Sequence, residues 1–251
     1  MREPRDVYAL GLMAKAPIAG EVKTRLVPPL TATEAAALNV CFLRDMTANV
    51  KSVTEKHPAS GLVVYTPAGS EFAFDGVLPK GFNLLAQRGP SLGERLYNAT
   101  DDLLRAGHSG VVLINSDSPT LPQSLLLRAI ESLAREGDRV VLGAAEDGGY
   151  YLIGLKHAHA KLFDGIAWST SDVLARTEQR AAEINLPVEL LPAWYDVDDA
   201  ETLNHLCKEL FFTPASNGAY PAPYTRAFLE TIIKSEGLQR LAPKLSSQTP
   251  A

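Results

Sequence analysis

The run Val111-Val112-Leu113-Ile114-Asn115-Ser116-Asp117-Ser118-Pro119 constrains the fold of this chain more than any other stretch. Four consecutive aliphatic residues describe a strand buried on both faces, the kind found inside parallel sheets. Asp117 falls just past the C-terminal end of that strand, at the edge where open α/β sheets bind ligands. An acid there, with small neighbours and a proline that stops the strand, can hold a divalent metal over a phosphate. The plainer alternative is a helix cap or a turn residue.

Strand-like and helix-like stretches alternate around this run. Val7 to Ala14, Gly61 to Thr66 and Phe82 to Ala86 are strand-like, as are Val140 to Ala144, Tyr151 to Gly154 and Val188 to Leu191. Thr31-Ala32-Thr33-Glu34 and Ser91-Leu92-Gly93-Glu94 offer capping boxes, the first leading into Leu38, Phe42 and Met46 at helical spacing and the second into a helix to about Arg105. Thr120-Leu121-Pro122-Gln123 starts a third helix, with proline in its first turn. Ser169 to Asp172 opens a fourth and Asp199 to Leu210 makes a late one. This order predicts a mainly parallel, doubly wound sheet. Only a short link joins Val140–Gly143 to Tyr151–Gly154, too short for a crossover helix, so that pair is antiparallel or joined by a wide loop and the sheet is mixed.

At 251 residues and 46% hydrophobic content the chain can bury one large α/β domain. The expected division is a domain over 1–212 and a C-terminal extension over 213–251, where Pro214, Pro221 and Pro223 interrupt the sequence. The extension carries one helix, Thr225 to Glu236, with Glu230 and Lys234 paired at i,i+4, Gly237 as its stop, and a disordered tail of about ten residues. The net charge of −5 is spread without blocks, which excludes an electrostatic nucleic-acid or membrane surface. Met1 to Asp6 is too polar for a signal peptide, and no apolar run approaches the roughly 20 residues of a membrane span. A cytoplasmic protein is expected, with Cys41 and Cys207 as isolated thiols. Of the histidines only His157 and His159 are close together. They flank no acid or cysteine cluster in sequence, so zinc is not expected.

The loop after the first strand holds Lys15, Lys23 and Arg25. It is neither a GxGxxG fingerprint nor a Walker A loop. It is a phosphate grip made of lysine point charges and a forked arginine, or a solvated surface loop. The free N–H groups of the Ser91–Arg95 turn suit a ribose, a base or a phosphate, although capping alone explains Ser91 and Glu94. Gly93 in the first turn signals close approach of another group. Asp147-Gly148-Gly149 is a tight turn or an acceptor-substrate loop, and Trp168-Ser169 a helix entry or part of the same acceptor region. If Asp196-Val197-Asp198 is extended, its two acids share one side. With Asp117 they complete an oxygen cage for Mg²⁺ or Mn²⁺, or they cap the helix beginning near Ala200.

Taken together, MAKAPIAGEVKTRL, QRGPSLGERL, INSDSPTLP, EDGGYYLIGL, AWST and YDVDDAETL resemble the GT-A superfamily of nucleotide-diphospho-sugar transferases and nucleotidyltransferases. Within it the chain is most similar to the DUF2064 group, whose members carry a glycosyltransferase label. The resemblance runs from about Leu10 to about Leu229. It implies a three-layer α/β/α sandwich with a mostly parallel mixed sheet, GT-A and Rossmann-like. It implies that Ala14, Lys15, Lys23 and Arg25, with Gln87, Ser91 and Gly93, hold the nucleotide and its phosphates. Asp117 resembles the last acid of a DxD-type motif and Asp198 the second acid of a late VDxxE-like segment. These two would hold Mg²⁺ or Mn²⁺, and with Lys23 they make the catalytic set. Asp147, Gly148, Gly149, Trp168 and Ser169 would face the acceptor. Asn115 stands where the DxD motif has its first acid, so one acid of the usual pair is present, as in many nucleotidyltransferases of the superfamily. The spacing from Lys15 to the KTRL run is also similar to phospholactate guanylyltransferases.

The implied activity is metal-dependent transfer from a nucleotide-activated donor, with a nucleotide-diphospho-sugar glycosyltransferase first. The alternatives are a nucleotidyltransferase that releases pyrophosphate and a non-catalytic nucleotide-binding module. The implied partners are a nucleotide or nucleotide-sugar donor and an unidentified small-molecule acceptor, with no nucleic acid. Residues 211–223 contribute either to an acceptor pocket or to a homodimer contact.

Overall fold

The computed structural model describes residues 7–213 and 218–242. The expected disordered tail and the polar N-terminal residues lie outside the described residues. Seven strands form one sheet: β1 (Tyr8–Lys15), β2 (Ala59–Thr66), β3 (Asn83–Ala86), β4 (Gly110–Asn115), β5 (Val140–Ala145), β6 (Tyr150–Leu155) and β7 (Val188–Trp194). Their order is β3-β2-β1-β4-β6-β5-β7. β6 runs antiparallel to both of its neighbours, β4 and β5, and the other pairings are parallel. The short link after β5 therefore sends the chain back between β4 and β5. The antiparallel pairing expected from the link length is present, and the sheet is mixed.

The helices are α1 (Ala32–Thr54), α2 (Leu92–Arg105), α3 (Gln123–Ala134), α4 (Val173–Glu183), α5 (Ala200–Phe212), α6 (Pro223–Glu236) and the short α7 (Leu238–Leu241). Both expected capping boxes form. Thr31 Oγ1 accepts from the Glu34 N–H and Ser91 Oγ from the Glu94 N–H, with each glutamate reaching back to its cap. The start of α3 differs from expectation: Pro122 stands at the cap, just before the helix, and makes no side-chain cap bond. The Thr120 hydroxyl is drawn instead to Tyr195 Oη at 3.2 Å. At α4, Asp172 occupies the cap position without a side-chain cap bond.

Alternation along the strands divides the core into two layers. Leu10, Leu12, Val112, Ile114, Val141 and Leu152 pack on the side of α1 and α3. Ala9, Val64, Val111, Leu113, Leu142 and Ile153 pack on the side of α2 and α4. Each buried aliphatic side chain contributes about 1.5–3 kcal/mol, and β4 supplies two to each layer. That is why its sequence is apolar without alternation. A third cluster joins Leu26, Phe42, Val197, Leu203 and Cys207 to Leu229, Ile232 and Leu241 of α6 and α7.

The C-terminal helices are held to α1 by polar contacts as well. Asp45, fully buried on α1, accepts from the Tyr224 and Thr225 N–H groups at 3.1 and 2.8 Å and so caps α6. Arg240 grips Glu34 through both carboxylate oxygens and also reaches the Pro29 carbonyl. The Arg240 hydrogen bond lowers the Glu34 carboxyl from the ordinary 4.5 to about 2. A depressed folded-state pKa means stability that is present above about pH 4.5 and lost as pH falls towards 2. Glu34→Gln and Arg240→Gln should each cost about 1–2 kcal/mol at pH 7. Each should also flatten the decline of stability between pH 4.5 and 2, measured by urea unfolding across that range.

Candidate functional site

A cavity of about 410 Å³ opens at the C-terminal edge of the parallel strands, over the boundary between β1 and β4 where the strand order reverses. Met13, Ala14 and Lys15 line it from β1, Thr66 from β2, Gln87 from the residue after β3, and Ser116 and Asp117 from the residues after β4. The loop between β1 and α1 contributes Glu21, Lys23 and Arg25. Asp198 arrives from the segment that leaves β7.

That last arrival follows from a backbone bond. β7 lies at the far edge of the sheet, three places from β4. The Val197 N–H donates to the Asp117 carbonyl at 2.9 Å, which draws the chain back to the end of β4. Val197 is fully buried, and Asp196 and Asp198 flank it on the other side, as an extended segment requires. Asp199 takes the capping role, accepting from the Glu201 and Thr202 N–H groups at the start of α5.

Lys23 lies at the centre of this convergence. Its ammonium donates to Asp117 Oδ1 at 2.8 Å, Asp198 Oδ1 at 2.7 Å and the Val197 carbonyl at 2.8 Å. The lysine side chain is 5% exposed, against 30% and 40% for the two acids. Burial alone would depress the ammonium pKa, but the Asp117 and Asp198 charges and their hydrogen bonds outweigh it and hold it above 10.5. Lys23 adopts a left-handed backbone, φ 50°, at an expense of roughly 1–2 kcal/mol that its three strong bonds offset. Asp196 is pushed up to about 6 by burial, then by the charges of Asp198, Asp147 and Asp117. This side of the cavity is therefore strongly negative around a single buried cation.

The other expected residues fall into two groups. Lys15, Arg25, Ala14 and Gln87 line the same cavity. Lys15 donates to the Glu21 carbonyl at 2.8 Å, Arg25 reaches Asp199 at 3.3 Å, and Gln87 Nε2 donates to the Val64 carbonyl at 2.8 Å. Ser91 and Gly93 lie in an adjoining hollow with Tyr97 and Lys161. A Cβ on Gly93 would meet the Trp168 indole at 2.7 Å, so the close approach signalled by this glycine is made by Trp168. Asp147, Gly148, Gly149, Trp168 and Ser169 do not line the main cavity. Asp147 Oδ1 accepts from the Gly149 N–H at 2.9 Å in a tight turn. Gly148, at φ 91°, packs against the Ser171 carbonyl, where a Cβ would lie 2.1 Å away.

Among the lining residues that were not expected site residues are two polar side chains on α1 and α2. Asn39 on α1 is 4% exposed, and its Oδ1 has no hydrogen-bond partner within the protein. Its signal was a polar residue on the buried face of an amphipathic helix. Arg95 on α2 lines the cavity and donates through Nε to the Gly89 carbonyl at 2.9 Å. One expectation is corrected elsewhere. His157 and His159, which have no acid beside them in sequence, meet Asp138 in space, because the antiparallel pairing of β5 and β6 brings the entry of one strand beside the exit of the other.

This strand order, with one reversed strand and a cavity at the switch point, defines the nucleotide-diphospho-sugar transferase fold. A solved structure from Desulfovibrio desulfuricans G20, described as a candidate nucleotide-diphospho-sugar transferase, matches with a TM-score of 0.78 and 30% identity. The match covers 90% of this chain and 95% of that one. The model for DUF2064, described as an uncharacterized protein conserved in bacteria, matches residues 49–170. The chain belongs to this family. A cytidylyltransferase from Leptospira borgpetersenii serovar Hardjo-bovis (strain JB197) shares the fold at TM-score 0.51 and 12% identity over 98% of both chains. So does a CMP:2-keto-3-deoxy-manno-octonic acid synthetase solved with CTP, at TM-score 0.50 and 11% identity over 79% of this chain and 96% of that one. No curated protein matches the chain. Among the described residues no helix is long and apolar enough to cross a membrane.

Removing the lysine charge leaves two carboxylates facing each other. Lys23→Met should therefore destabilise the fold by about 2–3 kcal/mol, below the roughly 3–5 kcal/mol of a fully buried broken pair because both acids reach solvent. Urea unfolding at pH 7.5 measures this, and added NaCl should recover part of the loss.

Proposed function

We propose that the protein is a divalent-metal-dependent transferase whose donor, a nucleotide-activated compound, binds in the cavity between β1 and β4. The observation that carries this reading is the meeting of Asp117 and Asp198 around one cationic centre, the Lys23 ammonium. Three oxygens surround that ammonium, two carboxylate and one carbonyl. An all-oxygen set of this kind suits Mg²⁺ or Mn²⁺, so the residues present fit the metal that the resemblance implies. Asp117 and Asp198 would hold it, and when bound it neutralises charge on the departing phosphate group.

The remaining work belongs to the chain's own residues. Lys15 and Arg25 meet the donor phosphates from the loop over β1, and Lys23 adds its charge beside the acids. The end of β1 at Ala14 and the Gln87 amide border the nucleotide. Ser91 and Gly93 lie at the entry of α2 and line the adjoining hollow. Asp147 to Gly149 and Trp168–Ser169 frame the acceptor side. The chemistry is mainly positioning plus charge neutralisation, and no side-chain nucleophile is required.

Sugar transfer from a nucleotide-diphospho-sugar is the leading reading, supported by family membership. Nucleotidyl transfer from a nucleoside triphosphate is the second, favoured by one observation. Asn115 occupies the first position of the DxD-type motif, and its Oδ1 is buried without a partner in the protein, outside the cavity lining. The end of β4 thus contributes a single acid.

The test incubates the protein with Mn²⁺ and a panel of nucleoside triphosphates and nucleotide-sugars. Release of a nucleoside diphosphate from a nucleotide-sugar identifies sugar transfer, and release of pyrophosphate identifies nucleotidyl transfer. Asp117→Asn and Asp198→Asn should each lower the rate roughly 100-fold or more and abolish the metal dependence of nucleotide binding in calorimetry. Nucleotide binding that is indifferent to metal in the wild type would refute the metal assignment. Binding without release of either product would leave a non-catalytic module.

A further inference from the structure

At the end of the sheet opposite the cavity, Asp138 stands between α3 and β5 and faces two imidazoles from the segment leaving β6. Asp138 Oδ1 lies 3.2 Å from His157 Nδ1, and Oδ2 lies 2.7 Å from His159 Nε2. The three ligand atoms lie within 4.8 Å of one another. The topology explains the meeting. Val140 pairs with Leu155, so the residues just before β5 and just after β6 share one end of an antiparallel ladder. The backbone is extended at His159, φ −95° and ψ 95°, which lets alternate residues His157 and His159 face the same way.

The cluster is organised beyond a simple ion pair. One carboxylate serves two imidazoles, one on each oxygen, and the Arg139 N–H fixes it by donating to Oδ1 at 2.9 Å. The neighbouring cations are engaged elsewhere. The Arg139 guanidinium bonds the Glu136 carbonyl and approaches Glu189, Lys156 donates to the Arg135 carbonyl at 2.7 Å, and Lys161 pairs with Asp164 and Glu183. None of these three cationic side chains is paired with the Asp138 carboxylate.

We propose that Asp138, His157 and His159 form a second metal site, which takes a borderline divalent ion of the zinc class and ties the entry of β5 to the exit of β6. Two imidazole nitrogens and one carboxylate oxygen, with bonds of roughly 2.0–2.2 Å in a tetrahedral arrangement, place donor atoms about 3.3 Å apart. The 3.2 and 2.7 Å approaches reach different oxygens of Asp138, and the three ligand atoms lie within 4.8 Å of one another, so the two imidazoles draw together onto one oxygen to meet that spacing. Imidazole selects Zn²⁺, Co²⁺ or Ni²⁺ over Mg²⁺. The exposed side of His157 leaves a fourth position open to water. The site lies across the sheet from Asp117 and Asp198, so its role is to brace the fold.

The untagged full chain is stripped with EDTA, supplied with excess Mg²⁺, and titrated with ZnCl₂ by calorimetry and thermal shift. One Zn²⁺ per chain should bind and raise the melting temperature. His159→Ala should abolish that binding, and His157→Ala should weaken it about 10-fold or more. Asp117→Asn should retain it. Co²⁺ should give tetrahedral visible bands that disappear in His159→Ala. Asp138→Asn, which keeps an oxygen for the Arg139 N–H, is the second route to loss should a histidine variant fold poorly. No zinc-dependent shift in the wild type, or a shift that persists in the His157→Ala/His159→Ala double variant, would overturn the proposal.

Discussion

The buried Lys23 ammonium is the point on which the functional end of this molecule is assembled. Three segments distant in sequence end there: the loop after β1, the residues after β4 and the segment after β7. Each brings a group that would be unfavourable alone. A buried ammonium without partners loses its hydration, and two carboxylates at this spacing repel. Together they satisfy one another. Chain path and charge placement are therefore one constraint, because the return of the β7 exit to β4 brings Asp198 to the lysine.

The inserted reversed strand sets the length of that return. β6 sits between β4 and β5, which places β5 and β7 farther out, so the chain leaving β7 passes the ends of β5 and β6 to reach the end of β4. The 195–198 segment makes this crossing with Val197 buried in the cluster formed with α1 and α5. Leu26 and Phe42 join the same cluster, so the loop after β1, α1 and the late acidic segment rest on a shared apolar base. The Lys23 ammonium lies 5.7 Å from the centre of the Phe42 ring, which adds a modest cation–π attraction at the floor of the site.

Much of this architecture was legible in the sequence because it depends on local chemistry. The uninterrupted apolar run of β4, the two capping boxes and the short β5–β6 link each carry their structural meaning within a dozen residues. Asp117 and Asp198 could be paired because both follow strands and the sheet edge is common to them. The fine contacts were not legible for the complementary reason. Nothing local in Lys23 separates a lysine aimed at phosphate from one enclosed by carboxylates; only the 174-residue separation closed by the fold decides it. Gly93 carried a true signal of close packing but not the identity of its neighbour, Trp168. Asn39 was masked by the apolar periodicity around it. His157 and His159 looked isolated because Asp138 lies across a strand pairing whose register a sequence does not print.

The two clusters of potential ligands differ in the kind of cation they suit, and the difference follows from where each sits. At the cavity the donors are carboxylate and carbonyl oxygens on the lining of an open pocket, with Lys15 and Arg25 nearby. In the proposed function a hard ion that keeps several exchangeable positions suits that place, since it would accommodate a substrate that comes and goes. At the opposite end two imidazoles meet one carboxylate on the rim of an antiparallel pair. Softer nitrogen donors hold an ion more durably and exchange it less readily. Such chemistry fits bracing rather than turnover. The same reversed strand thus bears on both places: the chain leaving β7 passes its start to bring Asp198 to Asp117, and its far end carries the histidines to Asp138.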